Sequence, residues 1–249
     1  MQRYFVNKIE EENEITIVGD DFHHISRVMR MEPGNQIICC DPKGKQAQCE
    51  ITEITNDKIL ARVVEWIEVQ TELPISVSIA SGLPKGDKLE YVIQKGTELG
   101  AIGFVPFIAA RSIVKWDEKK GAKKVERWSK IAKEAAEQSH RSVIPTIHSP
   151  GNLQDLISHS KNFTYKVIAY EEEAKRGEKS ALSLIFNQLQ PGDSLIVVIG
   201  PEGGLTDKEV TKLQEQGFVA CSFGPRILRT ETAPLYILSA VSYHFELAR

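Results

Sequence analysis

Five consecutive apolar residues, Leu195 to Ile199, are closed off by Pro191-Gly192-Asp193 on one side and by Gly200-Pro201 on the other. The run is too short for a soluble helix and lacks polar alternation, so it reads as a strand buried on both faces, as parallel sheets require. A loop must follow its carboxyl end. That loop holds Gly200, Gly203 and Gly204, where the missing side chains let backbone approach a ligand. Thr206 then opens a helix reaching about Gln216, with Glu209 three residues on to complete a capping box.

A glycine loop feeding a helix N-terminus usually suggests phosphate, because free N–H groups and the helix dipole attract anions. Here neither G-x-G-x-x-G nor G-x-x-x-x-G-K-[ST] fits, and Glu202 inside the loop repels a polyphosphate. A neutral or cationic ligand, such as an adenosyl group carrying a sulfonium, is compatible with it. On this stretch alone two readings stay open, a tight strand-to-helix turn and a ligand loop. A second unusual loop follows an expected strand, Phe218 to Phe223. Gly224-Pro225 breaks the chain, and Arg226-Ile-Leu-Arg-Thr-Glu-Thr-Ala233 sets two arginines and a carboxylate before Pro234, an N1-like start for a last helix over Leu235 to Leu247.

Gly200-Pro-Glu-Gly-Gly204 taken with Leu228-Arg-Thr-Glu-Thr-Ala233 resembles the SPOUT class of RNA methyltransferases, and within it the family that methylates N3 of a uridine in 16S ribosomal RNA. The resemblance covers nearly the whole chain. It implies an α/β fold: a C-terminal SPOUT domain with a mainly parallel sheet and a deep trefoil knot, plus an N-terminal PUA-like or OB-like β-barrel held to RNA. It further implies S-adenosyl-L-methionine bound in a bent form among the knotted loops, and a homodimer. The knot follows from the resemblance alone, since knots are rare exceptions to ordinary chain topology. Expected cofactor residues are Tyr170, which opens a third loop through Glu171, Glu172 and Glu173, together with Gly200, Glu202, Gly203, Gly224, Leu228, Thr232 and Ala233.

The rest of the chain divides into two rhythms. Residues 1–70 are strand-like: Tyr4 to Val6, Glu14 to Val18, Gln36 to Cys40, Gln46 to Ile54 and Ile59 to Trp66, with turns at Asp41-Pro-Lys-Gly-Lys45 and Asn56-Asp57, predict a small antiparallel barrel. Its one helix, Asp21 to Arg30, sets Ile25, Val28 and Met29 at apolar spacing and leaves Arg27 and Arg30 on the exposed flank. Residues 71–74, Thr-Glu-Leu-Pro, form the expected linker. Over 75–249 strands and helices alternate: Ile75 to Ala80, Gly86 to Leu99, Phe104 to Ala109, Gly121 to His140, Tyr165 to Tyr170 and Lys179 to Leu189 precede the glycine-loop unit, which predicts a parallel sheet with helices on its faces.

Net charge is -3, which by itself favours no nucleic-acid partner. The distribution says more: residues 1–70 hold 8 Lys+Arg against 13 Asp+Glu, whereas residues 85–141 hold 13 against 8. The basic excess gathers on the long helix at Lys119, Lys120, Lys123, Lys124, Arg127 and Lys130, either a solvated face or a phosphate track. Glu134, Gln138 and Arg141 follow at i, i+4 and i+7 as one polar face. The family signature includes this Glu-Gln-Ser-x-Arg stretch, so Gln138 and Arg141 are expected at RNA; the resemblance adds Arg3 and the helix carrying His23, His24, Arg27 and Arg30. Cys39, Cys40, Cys49 and Cys221 lack C-x-x-C spacing, so no zinc site or disulfide framework is expected. The absence of a long uncharged apolar run or signal-peptide pattern predicts a cytoplasmic protein with no membrane partner.

The implied reaction dictates residue types. Neutral uracil has no free in-plane lone pair on N3–H, so a proton must leave for an in-line displacement to occur. Glu231 is the candidate acceptor, and Arg229 or Arg226 the candidate cation for the uracil oxygens; the competing reading makes Glu231 a structural partner of Arg229. The chemistry needs no metal. The expected partner is 16S rRNA in the 30S subunit. Alternatives are a SPOUT enzyme acting on another rRNA or tRNA nucleotide, and a non-catalytic RNA-binding ribosome-assembly factor; a nucleotide-binding enzyme is disfavoured by Glu202.

Overall fold

The computed structural model describes residues 1–9, 14–68, 70–114, 116, 118–170 and 181–248, with backbone only at 118–120. The chain divides into two compact units, Met1–Glu72 with Ala136–Ile144, and Leu73–Ala135 with Pro145–Arg249. Among the described residues no helix is long and apolar enough to cross a membrane.

The first unit is built on a five-stranded sheet of β1 (Arg3–Phe5), β2 (Glu14–Ile17), β3 (Gln36–Cys40), β4 (Gln46–Ile54) and β5 (Ile59–Ile67), in the order β1-β3-β4-β5-β2. Strand β2 alternates exposed and buried residues with period 2, so one face of it is core. Ile15, Ile17, Ile37, Ile51 and Ile59 fill that core with Tyr4, Cys39 and Cys49. The ladders are antiparallel except β1·β3, which is parallel and departs from the predicted all-antiparallel pattern. These two strands are far apart in sequence, so a crossover rather than a hairpin joins them.

Helix α1 (Gly19–His23) runs into a π-helical turn, His24–Val28, in which Met29 N–H donates to His24 O at 2.8 Å. The wider turn breaks the 3.6-residue spacing behind the predicted apolar stripe. Ile25 alone of the three is buried; Val28 and Met29 are 59% and 38% exposed.

The second unit carries a six-stranded sheet with helices on both faces. In chain order it comprises β6 (Ser76–Gly82), α2 (Lys88–Glu98), β7 (Gly103–Phe107), α3 (Glu118–Gln138), β8 (Thr146–Ile147), α4 (Leu153–His159), β9 (Tyr165–Ala169), α5 (Ala181–Gln188), β10 (Ser194–Ile199), α6 (Asp207–Gln214), β11 (Val219–Cys221) and α7 (Thr232–Ser242). All ladders are parallel, in the order β11-β9-β10-β6-β7-β8. The apolar run is β10, and its side chains alternate between two cores. Leu195, Val197 and Ile199 pack with Val92, Trp128 and Ile237, while Ile196 and Val198 pack with Leu156, Val210 and Leu213. Burial of each such side chain stabilises by about 1.5–3 kcal/mol, which explains why no polar residue follows Ser194 in the strand.

Local signals set most boundaries. Thr206 Oγ1 accepts from Glu209 N–H, and Glu209 Oε2 accepts from Thr206 N–H at 2.8 Å, the capping box the sequence predicts. A second box, Asn152 with Asp155, opens α4, an element missing from the sequence reading although its Leu156 and Ile157 are buried. The last helix begins at Thr232 with Pro234 as its third residue, not its first. Proline is tolerated there because the first-turn N–H groups lack intrahelical partners anyway.

The segment Ala136–Ile144 corrects one expectation. Helix α3 ends at Gln138 and His140 takes φ 60°, so Arg141 leaves the face occupied by Glu134 and Gln138. Arg141 is 2% exposed and its guanidinium grips Glu72 through Nε, at 3.1 Å from Oε2, and through Nη2. Arg3, also buried, donates to the Arg141 carbonyl at 2.9 Å and to Gln46 and Cys40. Both arginine side chains are therefore buried and engaged by protein groups. Removing one member of a buried ion pair leaves the other uncompensated, at about 3–5 kcal/mol. Arg141→Ala is accordingly expected to lower the urea-unfolding free energy by about 3 kcal/mol or more. A change within about 0.5 kcal/mol, as at a solvated surface arginine, contradicts the buried role.

Candidate functional site

The carboxyl ends of β9, β10 and β11 open on a cleft of about 780 Å³. Open α/β sheets bind ligands there, outside the strand ends where the strand order reverses. In this sheet β6, β7 and β8 step to one side, and the chain returns to lay β9 and β11 on the other, with β10 between. Two loops make most of the wall: residues 200–205 after β10, and residues 223–230 after β11. Ala169 and Tyr170 close it from β9, Lys88 from the first turn of α2, and Arg111 from beyond β7.

The loop after β10 is pressed against its neighbours. A Cβ on Gly82 meets Pro201 Cδ at 2.5 Å and Pro201 N at 2.8 Å, so the end of β6 and the loop pass with no room for a side chain. Arg111 Nη1 donates to the carbonyls of Gly203 and Leu205 at 3.0 and 3.3 Å. The Thr230 hydroxyl donates to Gly200 O at 3.2 Å, tying the second loop to the first. Below them Glu209 extends its cap, its Oε1 accepting from Ala110 N–H at 2.8 Å. These contacts preorganise a site.

Charge is concentrated at one end. Lys88 Nζ lies 3.0 Å from Glu202 Oε1 and 3.2 Å from Glu231 Oε2. The two carboxylates push the Lys88 ammonium above its ordinary range, Glu202 first and Glu231 second. Partial burial works to raise the Glu202 carboxyl, but its own backbone N–H, Lys88 and the Lys85 N–H outweigh this and hold it below the usual range. Glu231 Oε2 is shut off from solvent and meets Lys88 as an ion pair, without a well-directed hydrogen bond. Across the cleft Tyr170 donates its hydroxyl to Asp207 Oδ1 at 2.8 Å.

Of the residues expected at the cofactor, Tyr170, Gly200, Glu202, Gly203, Gly224, Leu228 and Ala233 line this cleft. Thr232 does not; its side chain is exposed and its N–H donates to Arg229 O as α7 begins. Arg226 and Arg229 line the cleft with exposed side chains, and Glu231 pairs with Lys88, so the alternative Arg229–Glu231 partnership is not formed. In the first unit Arg27 and Arg30 are exposed, Arg30 at φ 52° where the chain leaves the π turn; Gln138 is exposed as well. On α3, Lys123 and Lys124 are exposed, Lys124 lying over the Trp116 ring, while Arg127 is engaged by Glu90 at 2.6 Å. Glu171, Glu172, Glu173 and Lys179 lie outside the described residues, as do the side chains of Lys119 and Lys120.

Sequence reasoning missed Lys88, Arg111 and Asp207 as parts of one wall. A signal existed for Lys88: the charged run Lys85-Gly-Asp-Lys88 directly follows a buried strand, at the end of the sheet where ligands bind.

Comparison with known proteins agrees with this architecture. A family described as RNA methyltransferase domain matches residues 71–242, and one described as RNA methyltransferase PUA domain matches residues 17–64. The chain is 56% identical to Ribosomal RNA small subunit methyltransferase E of Bacillus subtilis, over 100% of this chain and 99% of that protein. A putative methyltransferase from Legionella pneumophila, solved with bound SAM, superposes with TM-score 0.83 at 30% identity, covering 96% of each chain. Ribosomal RNA small subunit methyltransferase E from Neisseria gonorrhoeae, bound to S-adenosyl methionine, superposes with TM-score 0.82 at 27% identity and 97% coverage of each.

The tight crossing of β6 and the glycine loop yields a direct test. Gly82→Ala forces Pro201 to move and is expected to destabilise the fold by about 1–3 kcal/mol, the usual range for overpacking. Hydrogen exchange at residues 200–205 should accelerate in the variant, whereas unchanged exchange and stability contradict the close approach.

Proposed function

The chain belongs to the ribosomal RNA small subunit methyltransferase E family, and from that premise we propose that it methylates N3 of a uridine in 16S rRNA on the 30S subunit, with S-adenosyl-L-methionine as donor. The observation that carries the reading is the cleft itself, where one loop presents two exposed arginines and the lining residue Lys88 is paired with Glu231, a carboxylate with one oxygen shut off from solvent.

The cleft suits the donor. Its volume is in the range of small-molecule sites, its wall runs through Gly200, Gly203 and Gly204, and its carboxylates Glu202 and Asp207 favour a cation over a polyphosphate. Tyr170, Phe223, Leu228 and Ala233 supply the apolar remainder. Bound there, the donor supplies an electrophilic methyl carbon: its bond to N3 forms as the carbon–sulfur bond breaks, and that electron pair stays on sulfur. What the protein itself must manage is the N3 proton. Glu231 accepts it, and Arg229 or Arg226 faces the negative charge that then spreads onto the uracil oxygens.

The same reading assigns the rest of the molecule. The PUA unit meets RNA through Arg27 and Arg30, and in the second unit the exposed Lys123 and Lys124 of α3 offer charge to phosphate. Tyr236 and Tyr243, both exposed on α7 and the turn that continues it, suit burial by a second copy in a homodimer. The trefoil threading expected of the class belongs to this reading too, supported by the Thr230–Gly200 tie between the last two loops. A chain that acts on the small subunit works in the cytoplasm.

Labelled donor, 30S subunits lacking the modification and mass spectrometry of the released nucleosides test the proposal. N3-methyluridine is the expected product; another methylated nucleoside rejects the substrate while keeping the donor. Glu231→Gln is expected to lower kcat by about 10²–10⁴, the usual contribution of a positioned acid or base, with donor affinity retained. An unchanged pH profile and rate eliminate Glu231 as the acceptor.

A further inference from the structure

Glu202 and Glu231 come from different loops, yet both close on one ammonium, that of Lys88, itself the first residue of α2. We propose that Lys88 is a positioning residue for this site: it holds the two carboxylates together against their mutual repulsion, so that removing its charge raises the pH below which the pair stops accepting a proton. The proposal rests on the reading of Glu231 as acceptor.

The argument is one of charge balance. The cluster of one ammonium and two carboxylates is partly screened from water, with side-chain exposures of 32% for Lys88, 31% for Glu202 and 20% for Glu231. Glu202 has additional support from the Lys85 N–H at 3.2 Å. Glu231 Oε2, cut off from solvent, has Lys88. Without the ammonium, two like charges share the site, and one of them takes up a proton at a higher pH than before. A protonated Glu231 accepts nothing.

Among the described residues no other cation pairs with these carboxylates. Arg111 is spent on the carbonyls of Gly203 and Leu205, and Tyr170 is bonded to Asp207. Arg226 and Arg229 are exposed, and among the described residues neither forms an ion pair with Glu231. On the approach to α2, Lys85 and Asp87 are exposed, and on α2 itself Glu90 is paired with Arg127. The bridge also joins three segments far apart in sequence, so it sets the distance between the glycine loop and the start of α7. Its effect on the acceptor is separable from that mechanical role.

The separating experiment compares Lys88→Met, Lys88→Gln and Lys88→Arg. Two quantities are read: the acid limb of the kcat–pH profile for methyl transfer to 30S subunits, and the titration of the Glu202 carboxyl by ¹³C NMR in the protein without RNA. Loss of the ammonium is expected to move both upward by about one pH unit or more, while Lys88→Arg leaves both near their original place. Adding Glu202→Gln to Lys88→Met should return the acid limb toward its starting position, because the surviving carboxylate no longer faces a like charge. Lys88→Gln keeps a polar side chain of similar reach and serves if Lys88→Met fails to fold. An acid limb and a Glu202 titration that stay put in a folded, charge-removed variant overturn the proposal. If the unaltered protein methylates no uridine in 30S subunits, the reaction reading fails, and the titration, which needs no substrate, still decides whether Lys88 holds the pair ionised.

Discussion

Strand β10 is hydrogen-bonded along both edges, to β9 and to β6, and its apolar side chains are buried on both faces. A strand in that position has no freedom to shift by one residue, since each side chain already has a core on its own side. The register of β10 therefore determines where the chain emerges, and Gly200 must begin its loop at the end of the sheet beside Gly82 and Ala169. Parallel ladders put the ends of β6, β9 and β11 at that same edge. The cleft follows from this constraint.

The loops that meet there are held chiefly by polar contacts to backbone carbonyls, from Arg111 and Thr230, and by the capping carboxylate of Glu209. Two of these side chains, Arg111 and Thr230, also line the cleft, and so do two members of a charged cluster. Lys88 and Glu202 line the cleft and, with Glu231 paired to Lys88, link its segments. Such a cluster costs desolvation energy that an apolar substitute avoids, and it is offset by the attraction of one ammonium for both carboxylates. Arg3, Arg141 and Glu72 show the other use of charge in this protein, a buried network whose partners lie in the same unit.

How much was legible varied with the range of the governing interaction. The Gln36–Cys40 and Gln46–Ile54 strands, the Thr206–Glu209 capping box and the end of β10 all depend on residues a few positions apart, and the structure has them where the pattern puts them. Helix α4 had the same kind of local signal in Asn152, Asp155, Leu156 and Ile157, which the reading passed over. The Ile25, Val28 and Met29 stripe failed because a π turn, invisible to a spacing argument that assumes 3.6 residues per turn, turned two of the three outward. Arginine chemistry was harder still. Arg27 and Arg141 look alike in the sequence, but one is exposed and the other buried against Glu72.

Apolar periodicity, caps and glycine placement together determined that this chain has a strand-rich first part and a parallel α/β second part, with a glycine loop after Leu195 to Ile199. Those features act over one or two turns of backbone, and the residues that enforce them are neighbours in the chain. Tertiary structure alone decided which charges meet: Lys88 with Glu202 and Glu231, Arg111 with the Gly203 carbonyl, Arg141 with Glu72. The physical reason is that a long charged side chain pairs with whatever the fold brings within about 4 Å, a distance over which two ions attract strongly and which sequence separation does not encode.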